Sequence, residues 1–303
     1  MDNRFVTVGL FALLATLWGF SFPAIDVGLQ SLEPVLFAAF RYDVAAVLLL
    51  VYAVTRTSQW LPANRANLTA VLAGGAFLVA GNGLLFVGQQ TVPSGVAAIM
   101  QSLVPIVTSL WALGLLPEER VTPVGAVGIL LGFLGVGLIV RPDPANLLGA
   151  DGVGRLLVLG QVVSIALGGV LVQRASPTLD RAALSGWSML VGGVLLHTAS
   201  LAIGEPLVAP ATLHAQVAVL YLGVFATAIA FLIYFTLLDV RGALETSLVT
   251  YLVPVVATVA SVVFLNETIT PLTVVGFLVV LSGFVLLKRH ELAELAAEIR
   301  LAV

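Results

Sequence analysis

Arg41 and Asp43 lie inside the second long apolar run of this chain, Asp26 lies near the end of the first, and Glu245 lies one turn into a later run. A charged group in an oily segment is costly, so it is either paired or used. Arg41 and Asp43 are two residues apart and point to different faces of any helix that carries them. The short connection after Asp26 folds the first two runs back on each other. Asp26 and Arg41 are therefore expected to pair across that hairpin as a salt bridge. The alternative is substrate contact or proton coupling through Arg41 or Asp43. Glu245 follows Arg241 by four residues and reads as an i,i+4 pair near the membrane surface.

Uncharged polar residues form a second set: Asn82, Gln89, Gln90, Gln101, Thr108, Gln161, Ser164, Thr227, Tyr234, Thr250 and Tyr251. Each reads singly as an interhelical hydrogen bond. Together they imply a largely apolar cavity with polar spots. Trp18, Trp111 and Trp187 either line it or belong to an interfacial belt. The substrate-binding candidates are Trp18, Asn82, Gln101, Thr108, Tyr234, Thr250 and Tyr251. Pro105 and Pro254 fall inside apolar runs, where each is expected to kink a helix and leave the carbonyl four residues earlier, on Gln101 or Thr250, without its donor. Pro23 is expected to do the same to Gly19. In lipid such a carbonyl must be satisfied by protein or by a water-filled cavity.

Other chemistries find no support. His197, His214 and His290 are far apart, no HExxH motif occurs, and no serine or aspartate pair has a catalytic context. No metal site or cofactor is expected. The chain has no cysteine, which excludes disulfides and thiolate-bound clusters. Its net charge of −3 gives no footprint for nucleic acid. The glycines favour close helix packing, since none joins a soluble strand to a helix as a nucleotide loop would.

The elements that carry these residues follow from composition. Of 303 residues, 60% are apolar and only 10% are charged, against about 25% charged in a soluble domain. Ten apolar runs lie at 6–28, 33–54, 68–89, 93–116, 122–140, 153–173, 182–203, 213–238, 242–264 and 271–288. They are continuous rather than alternating, so they predict membrane helices and not barrel strands. The first run is too long for a cleaved signal peptide. The tail at 290–303 reads as a short amphipathic surface helix. With ten spans both termini share one side, and that side collects Arg4, Arg56, Arg65, Arg120, Arg174, Arg181, Arg241, Lys288, Arg289 and Arg300. The other side has Arg141 and Arg155. The bias places both termini in the cytoplasm.

The chain also repeats itself. "LPEERVTP" at 116–123 returns as "LNETITP" at 265–271. Placing Glu118 on Glu267 puts Phe86 on Phe235, Val104-Pro105 on Val253-Pro254 and Leu116 on Leu265. After a one-residue indel, Thr122-Pro123 falls on Thr270-Pro271, Gly128 on Gly276 and Gly135 on Gly283. One indel in a polar turn between matched helices is the mark of a duplicated unit. Five helices per unit is odd, so the second copy enters from the opposite face, and the copies are inverted. Thr122 and Thr270 are expected to cap the following helices, each with proline in the first turn. Glu118 and Glu267 sit beside those helix starts, where free N–H groups and the helix dipole attract a carboxylate. Each is expected to tie its hairpin together.

These motifs carry a resemblance. The stretches are "LWGFSFPAI" at 17–25, "FRYDVAAVLLL" at 40–50, "SLVPIVTSLWALGLLPEERVTPVGAVGILLGFLGVGLIV" at 102–140 and "SLVTYLVPVVATVASVVFLNETITPLTVVGFLVVLSGFVLL" at 247–287. Across roughly residues 8–288 the chain resembles the drug/metabolite transporter superfamily, in particular its ten-helix EamA-type carriers. The resemblance implies a carrier that moves small organic solutes by alternating access, with export the commoner direction, and does not name a solute. The sixth run departs from the pattern, having no tryptophan to match Trp18.

The expectation is an all-α integral membrane protein of ten transmembrane helices in two inverted five-helix repeats, both termini cytoplasmic. The repeats span 5–150 and 151–289, followed by the tail at 290–303. The function expected is secondary active transport of small organic metabolites across the cell membrane, by a protein that is not an enzyme. An intramembrane enzyme and a channel or facilitator are the alternatives. The expected partners are a small-molecule solute and membrane lipids, with no nucleic acid, and a homodimer stays open.

Overall fold

A computed structural model describes residues 4–116, 122–140, 150–247, 249–287, 289 and 292–293. All regular structure among them is helical. Seven helices are long and apolar enough to cross a membrane: α1 (Val6–Leu29), α2 (Pro34–Arg56), α3 (Arg65–Gly88), α4 (Ser94–Leu115), α6 (Asp151–Ala175), α7 (Arg181–Ala202) and α8 (Leu213–Leu238). Three shorter apolar helices complete the order: α5 (Pro123–Ile139), α9 (Val249–Leu265) and α10 (Pro271–Leu287). The last two have 17 residues each, about 25 Å of helix, slightly less than the roughly 30 Å of a hydrocarbon core. Glu118 and all of the expected tail except 292–293 lie outside the described residues, as do the side chains of Arg241 and Glu245.

Local sequence explains most helix ends. Asn64, Asp180 and Thr212 cap α3, α7 and α8, each accepting a hydrogen bond from a first-turn N–H. The two Thr-Pro starts behave as predicted. Thr122 Oγ1 accepts from the Gly125 N–H at 3.0 Å, and Thr270 Oγ1 from the Thr273 N–H at 3.3 Å. The boundary near 240 differs from the sequence reading. The backbone stays helical from Ala230 to Ser247, and α9 starts only at Val249. Arg241, Ala243, Leu244 and Glu245 are good helix formers and one glycine among them does not stop the helix.

Outward faces are apolar and exposed, as at Leu130, Val194 and Phe264. The packed interior gathers Phe37, Phe86, Met100, Leu103 and Ile106. The Phe37 and Phe86 rings meet edge-on at 5.2 Å.

Helix pairs occur in an orderly set. Helix α5 packs on α10, α2 on α7, α4 on α9, α3 on α7 and α8 on α2, and α1 on α9 and α4 on α6. The α5–α10 crossing depends on glycine. A Cβ on Gly135 would lie 2.7 Å from the Gly276 carbonyl oxygen, and one on Gly276 equally 2.7 Å from that of Gly135. Gly128 and Gly283 meet in the same way one level along. The backbones therefore touch, as small residues allow in membranes. Two wide turns also match. Gly74–Val79 in α3 and Tyr221–Ile229 in α8 are π-helical. Shifted in the register that puts Phe86 on Phe235, the first falls inside the second. Such turns are rare and cluster at functional sites.

Candidate functional site

Four side chains from four helices form a continuous hydrogen-bonded chain. Asn82, at the end of the short 3₁₀ turn that follows the α3 π-turn, donates through Nδ2 to the Tyr42 hydroxyl of α2 at 2.7 Å. Gln161 of α6 donates through Nε2 to Asn82 Oδ1 at 2.9 Å. Gln101, the last residue before a break in α4, donates through Nε2 to Gln161 Oε1 at 2.8 Å. Tyr42, Asn82 and Gln161 are buried and Gln101 is half-buried. Carboxamides suit such a chain because each both donates and accepts.

Arg41 lies beside it. Its Nε donates to Thr227 Oγ1 at 2.8 Å, and Thr227 donates in turn to the Leu222 carbonyl at 2.6 Å, five residues back within the α8 π-turn. The guanidinium carbon sits 5.2 Å from the Tyr42 ring centre and 6.0 Å from that of Phe86, within cation–π range. Arg41 is 7% exposed. Among the described residues its Nη atoms bond to nothing and no carboxylate pairs with it. The expected Asp26–Arg41 bridge is therefore not formed. Arg41 turns toward α8 instead, and Asp26 lies within Coulomb reach of another carboxylate, Glu267.

Glu267 also differs from its expectation. Its carboxylate leaves its own hairpin and accepts from the Ser94 and Gly95 N–H groups, at 2.7 and 3.1 Å, at the start of α4. Those amides are free because the preceding Pro93 side chain cannot cap them. Glu205, which the sequence reading missed, does the same for α2, accepting from Val35 and Leu36 at 3.1 and 2.9 Å. An acidic residue in a polar loop was the only signal for it.

The remaining candidates scatter. Trp18 packs with Phe231 and Tyr234 at 6.2 and 5.7 Å, and Phe235 extends the group. Tyr251 lies 4.5 Å from Phe284 on α10. Its hydroxyl, Trp111 Nε1 and Gln89 Oε1 are buried without a partner among the described residues. Thr108 spends its hydroxyl on the Val104 carbonyl of its own helix, at 2.7 Å. Thr250 is half-buried in α9. Asp43 bonds His197 of α7 at 2.7 Å, a partner detectable beforehand because a histidine within a membrane run is itself an ionisable group in lipid.

The prolines are unequal. Pro254 lies inside α9, as predicted. Pro105 does not kink a continuous helix. Helix α4 stops after Gln101 and restarts at Val104, with Pro105 in the first turn of the second segment, where its missing N–H costs nothing. Pro23 likewise follows an interruption at Phe20.

The sequence profile of the EamA-like transporter family matches residues 6–141 and again 152–289. The chain belongs to this family. As an EamA-like protein it is similar to the uncharacterized inner membrane transporter YedA of Escherichia coli K12, at 34% identity over 91% of this chain and 88% of the relative. It is also similar to the uncharacterized transporter YvbV of Bacillus subtilis, at 27% identity over 97% and 95%. A solved crystal structure superposes on 94% of the chain and 96% of its own, with a TM-score of 0.64 at 20% identity, which shows the fold alone. The EamA-like chain is thus a multi-pass membrane transporter of the drug/metabolite transporter superfamily.

Proposed function

We propose that this transporter is a secondary carrier that moves a small organic solute by alternating access, and that the solute binds beside the Tyr42–Asn82–Gln161–Gln101 chain. The observation that carries this reading is the buried Arg41 next to that chain. A buried cation without a counter-charge is unfavourable, so a solute carboxylate or carbonyl at its Nη atoms completes the site. The amides fix a polar part of the solute, while Phe86 and Tyr42 offer ring faces. A carrier of ten transmembrane helices in two inverted copies, 5–150 and 151–289, is supported by the double family match, the matched π-turns and the reciprocal glycine crossing of α5 and α10. Inverted copies make two states of similar energy natural, because each copy can adopt the other's shape. The arginine bias places both termini in the cytoplasm, and export is the direction we infer.

A thermal-shift screen of metabolites on the purified protein, followed by flux into liposomes, tests the reading. Saturable counterflow is expected, lost in Arg41→Gln. Linear, non-saturable flux would make the protein a channel, and a chemically altered solute would make it an enzyme. Topology has its own test. Glu118→Cys and Glu267→Cys, made in this cysteine-free chain, should label from opposite faces. Labelling of both from one face would overturn the inverted arrangement.

A further inference from the structure

Asp43 and His197 have no role in the site above, yet they are two ionisable groups that meet within the membrane. Asp43 lies nine residues into α2 and His197 five residues before the end of α7, about 13 and 8 Å from the helix ends on that side. His197 Nε2 and Asp43 Oδ2 are 2.7 Å apart. Gly193 lets the carboxylate approach α7, since a Cβ there would come 2.9 Å from Asp43 Oδ1. The Phe40 ring meets the imidazole edge-on at 5.8 Å. Both side chains keep substantial exposure, 32% for His197 and 43% for Asp43. One turn away on the same helices are Val47 and Val194, which are exposed and apolar. The pair thus borders the lipid-facing surface.

No other ion pair or hydrogen bond reaches either side chain among the described residues. The neighbouring helices hold their own charges elsewhere. On α2, Arg41 is directed to Thr227 and Tyr42 to Asn82. On α1, Asp26 is within Coulomb reach of Glu267. On α3, Arg65 starts the helix at the other end. On α8, His214 is exposed at the start, the Tyr221 hydroxyl donates to the Leu17 carbonyl at 3.0 Å, and Tyr234 packs on Trp18 within reach of Arg181 at the far end of α7.

We propose that Asp43 and His197 form a proton-binding site, and that its occupancy sets the balance between the two access states, so that a proton is the coupling ion of the carrier. This rests on the carrier reading above. With one proton shared the pair carries a carboxylate and a neutral imidazole, net −1. A second proton, taken from water, makes imidazolium and carboxylate, net zero. The neutral form can border hydrocarbon, whereas the charged form favours a conformation that exposes it to water. Releasing that proton to water on the opposite face completes the cycle. A nitrogen ligand disfavours sodium, a hard cation held by oxygens, and imidazole is the side chain that changes charge near neutral pH.

The test needs no solute. Hydrogen exchange of the protein in nanodiscs is followed at residues 36–46 and 190–200, corrected for the intrinsic rate. Between about pH 5 and pH 8 the protection should change in wild type, by up to about tenfold per pH unit for one linked proton. Asp43→Asn and His197→Gln should each flatten the profile, and Asp43→Glu should displace it without flattening it. A flat wild-type profile overturns the proposal even if no variant folds. A profile unchanged in both neutral variants assigns the proton elsewhere and also overturns it. Labelling of a single Gln101→Cys from each face of liposomes separates this outcome from failure of the carrier reading. Reaction from both faces with no pH dependence leaves a carrier that is not proton-coupled.

Discussion

Helices α4 and α9 carry matched prolines and fold differently. Helix α4 is two segments, and its first segment ends on Gln101, a member of the amide chain. Helix α9 runs unbroken through Pro254, and the residue that matches Gln101, Thr250, is held within it. Two segments matched in sequence therefore present one hydrogen-bonding helix and one mainly apolar helix to the interior. The difference teaches that a shared sequence motif does not fix what each helix contributes.

The amide chain should show the largest asymmetry. Asn82→Leu strands the Tyr42 hydroxyl and the Gln161 amide, a loss of about 1–3 kcal/mol for a buried partner left unpaired. We expect a lower unfolding temperature in detergent and loss of any solute-induced thermal shift. Thr250→Val, in the matched helix, should leave the solute-induced shift in place. Equal losses from both would mean the copies share the site evenly.

The prolines come next. Pro254→Ala restores a hydrogen bond inside a helix, where proline costs about 3 kcal/mol, so it should shift the access equilibrium. Pro105→Ala sits in a first turn and should shift it little. Accessibility of Gln101→Cys and Thr250→Cys from each face, compared in the two backgrounds, measures this. A larger effect at Pro105 would show that the break in α4 depends on the proline.

The acidic caps are smaller. Glu267→Ala and Glu205→Ala each leave two N–H groups open at a helix start, and each should cost about 0.5–2 kcal/mol of stability by thermal unfolding, the range for a lost cap. Glu267→Ala should act on α4 and expose Ser94→Cys to outside reagent, while Glu205→Ala should not. The smallest effect is expected at Thr108→Val, whose hydroxyl stays within its own helix. Unchanged flux and stability there, beside a clear loss in Thr227→Val, would confirm which threonine faces the charge.

Much of the architecture was legible because it depends on local or periodic features. Continuous apolar runs specify helices in lipid, since the backbone must be satisfied internally there and the alternation of a barrel strand is missing. Thr122-Pro123 and Thr270-Pro271 start helices through atoms within one turn of themselves. The register linking Phe86 to Phe235, read from the sequence, also puts the π-turn of α3 inside that of α8. Asn82 and Gln101 were marked by being polar at membrane depth.

Their partners were not legible, because a partner depends on which helix faces which. Sequence by itself determined that Arg41 and Asp43 must point to different faces. Only the tertiary structure decided that Arg41 turns to Thr227 and Asp43 to His197, so that Asp26 does not pair with Arg41. A side chain's type sets what it can bond. The neighbour it bonds lies far away in sequence and is chosen by close packing of helices, as where Gly193 opens room for the Asp43 carboxylate. Glu267 shows the same physics, since its carboxylate accepts from the start of α4, while the helix start next to it in the chain is capped by Thr270.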